Sequence, residues 1–128
     1  MGQPVVHFEV IGADPAELRG YYRELFGWEY QENAPVAPEV SQSGSYAFIS
    51  RMTTQDGTGI PGGVGGGDAY RSHAIFYVGV SDVEEALRKA ESLGGTRVMG
   101  PARNEGGGVL VGHFTDPEGN LMGVAGPA

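Results

Sequence analysis

Two stretches of this chain spell the same plan. HFEVIGADPAELRGYYRELFGWEY runs from 7 to 30, and SHAIFYVGVSDVEEALRKAESLGG runs from 72 to 95. Each begins with residues that alternate between two faces, as a strand does. Each then meets an acid placed to cap a helix, continues in an apolar stripe at helical spacing, and stops at glycine. The period is about 66 residues, too long for a solenoid repeat, so a pseudo-twofold pair of modules is the better inference. No other feature restricts the possible folds as strongly.

Along the first copy, Val6, Phe8 and Val10 share one strand face, with His7 and Glu9 on the other. Asp14-Pro15-Ala16-Glu17 reads as a helix start, with Asp as the cap and Pro at the first position. Leu18, Tyr21, Tyr22, Leu25 and Phe26 form the stripe, and Gly27 ends it. Trp28 to Gln31 and Ser45 to Met52 read as strands separated by a loop, Asp56-Gly57 as a hairpin turn, and Thr58 to Val64 as a weak, glycine-laden fourth strand. In the second copy Ser72 to Val80 is the strand, Ser81 or Asp82 the cap, and Ala86, Leu87, Ala90 and Leu93 the stripe. Thr96 to Met99 and Val109 to Thr115 are strand-like, with 101–108 a loop between them. The run Asp116-Pro117-Glu118-Gly119-Asn120 is a tight turn returning through Leu121 to Ala125.

The expected fold is therefore α+β: two βαβββ modules in tandem with pseudo-twofold symmetry, module one about 1–66 and module two about 70–128, in one domain. Curved sheets carrying helices on one face would enclose a cavity on the other. Phe8 and Val10 should pack under one helix, and Ala74, Phe76 and Val78 under the second. His7, Glu9, His73 and Tyr77 should face the cavity.

Those inward residues carry the chemistry. Glu9, His7 and His73 are the candidate catalytic groups, because an inward carboxylate needs a polar partner or a raised pKa, and either suits proton transfer. The two histidines are taken to occupy equivalent positions of the repeat. Tyr77, Trp28, Tyr46 and Phe48 are candidate ligand-binding residues, although aromatics on successive strands more often build a core. His113 is expected at an exposed rim. The glycines at 62–67 match no phosphate-cradling pattern.

A formal net charge of −8 disfavours nucleic acid and anionic membranes as partners. No run approaches membrane-spanning length, and MGQPVVHFEV lacks the pattern of a signal peptide. The absence of cysteine rules out thiol chemistry and suits a cytoplasmic location.

With these residues in view, the chain resembles the vicinal oxygen chelate superfamily, which includes glyoxalase I, bleomycin-resistance proteins and extradiol dioxygenases. The resemblance lies in 7–30, 72–95 and DPEGN at 116–120, about half the chain, and sits closest to the metal-poor, glyoxalase-related branch. It implies a ligand cavity, usually in a homodimer. In metal-dependent members, ligands come from the first and last strands of each module, positions that fall here on His7, His73, the Gly62-Gly63 region and Gly123. Metal-binding relatives carry a glutamate at the last two. A divalent metal is thus a possible cofactor but not the favoured one, with His7 and His73 as its only candidate ligands.

The resemblance implies a protein that binds a small oxygenated or aromatic molecule. Catalysis would be a lyase- or isomerase-type proton abstraction, with Glu9 as base and His73 or Tyr77 donating to the developing oxyanion. The alternative is a non-catalytic, drug-sequestering protein that holds its ligand in an acidic cleft.

Overall fold

The computed structural model describes residues 2–128. The described residues divide into two compact units, residues 7–74 and residues 75–128 joined by 2–6. It is an α+β protein whose elements run β1 (Val5–Gly12), α1 (Pro15–Phe26), β2 (Ala47–Ile49), β3 (Gly62–Gly66), β4 (His73–Gly79), α2 (Val83–Ser92), β5 (Thr96–Arg103), β6 (Val109–Thr115) and β7 (Leu121–Pro127).

In the 7–74 unit, β3 lies between the other two strands, parallel to β1 and antiparallel to β2. Asp14 caps α1 by accepting from the Glu17 amide, and Gly27 closes it in the left-handed conformation at φ 72°. Both ends follow the local sequence, because caps satisfy orphan amides and carbonyls within a few residues. The expected strand over 28–31 does not form. Only Gln31 bridges to Phe48. Much of the core comes from the stretch read as a plain loop: Val36, Ala37, Val40 and Ser41 are buried beside Ile11, Tyr46, Ala47, Ile49 and Val64. Ser41 accepts from the Gly66 amide at 2.9 Å, which satisfies a backbone group at the end of β3.

The other unit has the full strand–helix–strand–strand–strand order. β4 runs parallel to β7, and β5, β6 and β7 form an antiparallel meander. Asp82 caps α2 through the Glu85 amide. β5 extends through Pro101, beyond the expected end, with register shifts between Arg97 and Ala102. Asp116 organises the final hairpin. Its carboxylate accepts from the Glu118 and Asn120 amides and from the Asn120 side chain, each at 2.9 Å.

α2 packs on β5, β6 and β7, with Val83 and Leu87 seated against Val124. The expected alternation of β4 holds, with Val78 paired to Val124 on the α2 side and Tyr77 paired to Gly123 on the other. Ile75 and Tyr77 are its buried residues, whereas Ala74 and Phe76 are exposed. The correction is that α2 does not cover Ala74 and Phe76; Leu87 sits over Gly112 on β6, where a Cβ would come within 2.7 Å of its side chain.

Candidate functional site

The 7–74 unit gathers four predicted residues. His7 and Glu9 lie two apart on β1 and so share a strand face. Tyr46 enters just before β2, and its hydroxyl donates to Glu9 Oε2 at 2.9 Å while lying 2.9 Å from His7 Nε2. His7 Nε2 and Glu9 Oε2 are 3.9 Å apart. Phe48 stacks on the imidazole with centroids 6.3 Å apart and planes at 7°.

With Glu9 ionised, counting protons gives the tautomer. A phenol has one hydrogen, and Tyr46 gives it to the carboxylate, which can only accept. His7 must therefore donate through Nε2–H to the phenol oxygen, which leaves its lone pair on Nδ1. Burial of the ring disfavours the imidazolium and lowers the His7 pKa to about 4. The imidazole is neutral at physiological pH.

Depth differs along this chain of groups. The Glu9 side chain keeps 5% of its surface exposed and the His7 side chain 23%, so the imidazole stands on the solvent side of the carboxylate. A groove of about 480 Å³ runs along α2, lined by Val78, Val80, Lys89, Phe114 and Val124, and contains none of these four residues.

The space for Tyr46 is made by β3. A Cβ at Gly63 would lie 2.0 Å from the Tyr46 hydroxyl oxygen, and one at Gly62 would lie 2.2 Å from the Phe8 ring. Gly63, paired with Glu9 across the parallel register, is thus the glycine on the His7–Glu9 face. A comparable arrangement occurs in the second unit. Tyr77, fully buried, hydrogen-bonds His113 Nε2 at 2.7 Å, and Gly123 lies opposite both residues in the strand register. A Cβ at Gly123 would come within 2.6 Å of the Tyr77 ring.

Three expectations need correction. His113 is buried at 7% exposure; its position directly across the hairpin from Gly123, where a side-chain-sized space opens, is the sequence signal that could have found it. Trp28 stands among Phe8, Tyr22 and Phe26, with ring centroids 5.1–5.4 Å away. It shares the Phe8 face of β1, opposite Glu9, because 28–30 do not form the strand that would have turned it inward. Finally, His7 and His73 are not equivalent. Counted back from the caps Asp14 and Asp82, or from the partners Gly63 and Gly123, His7 matches Ile75 and Glu9 matches Tyr77.

His73, half-buried at the start of β4, donates from Nδ1 to the Arg71 carbonyl at 2.8 Å. In its neutral form Nε2 is then an acceptor, which does not suit donation to an oxyanion. The hydroxyl of Tyr77, the other expected donor, is engaged with His113.

The implied divalent metal does not fit these residues. A catalytic site of this kind needs about three protein ligands. Among the described residues no group of three or more His, Cys, Asp or Glu side chains comes together to hold one. His7 presents a protonated Nε2 toward Glu9, and the Tyr46 hydroxyl fills the space beside Gly63.

Strand–helix–strand units with polar side chains on one strand face define an α+β protein of the paired-module class. The sequence places it further: residues 5–124 match the Glyoxalase/Bleomycin resistance protein/Dioxygenase superfamily, and the chain belongs to that superfamily. Among solved structures it is similar to a methylmalonyl-CoA epimerase variant of Streptomyces coelicolor in complex with 2-nitronate-propionyl-CoA. Identity there is 17%, coverage 98% of each chain and TM-score 0.64. A second methylmalonyl-CoA epimerase structure is 18% identical at TM-score 0.54, over 97% of this chain and 94% of that one. An uncharacterized protein from Methanosarcina mazei is 13% identical at TM-score 0.53, over 98% and 94%. These likenesses establish the fold. No curated protein matches the sequence.

Proposed function

We propose that the protein binds a small oxygenated organic molecule against the His7–Glu9–Tyr46–Phe48 face and removes a proton from carbon next to a carbonyl group. The observation that carries this reading is the Glu9 carboxylate, nearly buried, held by the Tyr46 phenol and set 3.9 Å from a neutral imidazole. A desolvated carboxylate fixed in one orientation is a suitable general base. Tyr46 holds it in place, and Phe48 beside His7 offers a flat apolar surface to a planar ligand. An epimerase among the similar folds is in keeping with isomerase-type proton transfer. We take the protein to act as a homodimer on the resemblance, and in the cytoplasm on its lack of cysteine; sedimentation velocity checks the dimer.

The test is proton exchange. Wild-type protein in D2O, offered a panel of thioesters, 2-oxo acids and 1,3-dicarbonyl compounds, should introduce deuterium at the activated carbon of at least one, followed by NMR. Glu9→Gln should slow that exchange by about 10²–10⁴-fold. Equal exchange by both proteins would remove Glu9 as the base.

A second reading, ligand sequestration without catalysis, is favoured by the stacked His7–Phe48 pair and the net charge of −8, which together suit a cationic aromatic compound. It predicts a thermal shift that grows with ligand concentration and survives Glu9→Gln in the absence of any exchange.

A further inference from the structure

The two units share a device that their strand registers do not impose. In each, a tyrosine ring fills the volume over a glycine, and its hydroxyl hydrogen-bonds the Nε2 of a histidine. Tyr46 stands over Gly63 and bonds His7; Tyr77 stands over Gly123 and bonds His113. The tyrosines come from different places in their units. Tyr46 precedes β2, whereas Tyr77 lies within β4. The same occupancy has been reached by two routes.

We propose that Tyr46 is a phenol plug that stands where a carboxylate ligand would and so closes the His7–Glu9 cluster to divalent metals, with Tyr77 over Gly123 as its counterpart in packing. A side chain at Gly63 would project straight at the Tyr46 oxygen, 2.0 Å from its Cβ. That oxygen lies within hydrogen-bond distance of both His7 Nε2 and Glu9 Oε2. A glutamate there would complete a set of one imidazole and two carboxylates, a donor set that divalent first-row metals accept. The phenol takes that place and, with Glu9 ionised, accepts from His7 Nε2–H, so the ring nitrogen that faces the cluster offers a proton there and not a lone pair. In the second unit a side chain at Gly123 would meet the Tyr77 ring at 2.6 Å, opposite His113 in the register. The plug explains how the fold keeps an ordered polar cluster around His7 and Glu9 without an acid on β3. It is independent of whether Glu9 acts as a base.

Cobalt(II) titration followed by visible absorption, with metal content measured after dialysis and folding checked by circular dichroism, tests the proposal. Wild-type protein and Gly63→Glu should show no tetrahedral cobalt spectrum. The double variant Tyr46→Ala/Gly63→Glu should bind cobalt roughly tenfold or more tighter than either, and adding His7→Ala should abolish the gain. The plug is rejected if wild-type protein takes up a stoichiometric cobalt ion that His7→Ala removes. It is equally rejected if Gly63→Glu alone gains as much affinity as the double variant, or if the folded double variant gains none. Should the double variant not fold, ¹⁵N NMR of the wild-type imidazoles decides. His7 Nε2 should keep its protonated shift when zinc is added, and a move to a metal-bound shift overturns the proposal.

Discussion

His7 joins solvent to the buried end of the polar cluster, and its protonation state sets how the cluster behaves with pH. Its folded pKa lies at about 4, below the 6.5 of an unfolded histidine. Between those values the unfolded chain binds more protons, so stability is full above pH 6.5 and falls as pH drops toward 4. The loss amounts to about 3 kcal/mol at most. Urea denaturation of wild-type protein and His7→Gln at pH 7 and pH 4 should show the wild type losing more by roughly that amount. Parallel losses would mean the imidazole is not held neutral. Tyr46→Phe keeps the ring but deprives both Glu9 and His7 of a partner, and should cost about 1–3 kcal/mol by the same measurement. The alternation of β1 already put His7 and Glu9 on one face. The bridge between them could not be read locally, because Tyr46 arrives from 37 residues beyond Glu9.

At the level of elements, the glycines of β3 and the turn before β7 have the clearest consequences. β3 reads as a weak strand because glycine has no hydropathy signal, yet every one of its residues is buried, and β1 and β2 flank it. Its missing side chains are what admit Tyr46 and Phe8. Gly63→Ala should therefore destabilise by about 1–3 kcal/mol through overpacking. In a Tyr46→Ala background the same change should be nearly neutral, which a double-mutant cycle in urea measures. Asp116 was legible as a turn residue, and its hydrogen bonds to Asn120 and Glu118 hold its carboxyl below the usual range. Its stabilising contribution is present above the ordinary carboxylate pKa and is lost as pH falls through the lowered one. Asp116→Ala should lower Tm at pH 7 and narrow the difference from wild type in strong acid, as calorimetry would show.

Across the whole molecule, charge acts collectively. The net charge of −8 at pH 7 opposes non-specific association, and the sequence pI is about 4.7. Phe26, Phe76 and Leu93 are well exposed, so removing that repulsion leaves apolar surface to associate. Light scattering should rise as pH approaches 4.7 and fall again on either side, with less effect at pH 7 across the same protein concentrations. Among the described residues, no helix is long and apolar enough to cross a membrane.

The sequence by itself determined whatever depends on neighbours a few residues away. That covers the two capped helices, the Asp116 turn, the duplicated plan and the shared face of His7 and Glu9. Cap bonds, turn angles and strand alternation all act over such short spans. Tertiary structure decided what depends on which strands meet and where volume is left open. It put α2 over the meander, turned Trp28 away from Glu9 and buried His113. It also placed a tyrosine in each hollow beside a glycine. These outcomes follow from close packing between segments far apart in the chain, where an absent Cβ on one strand determines which ring from another can enter.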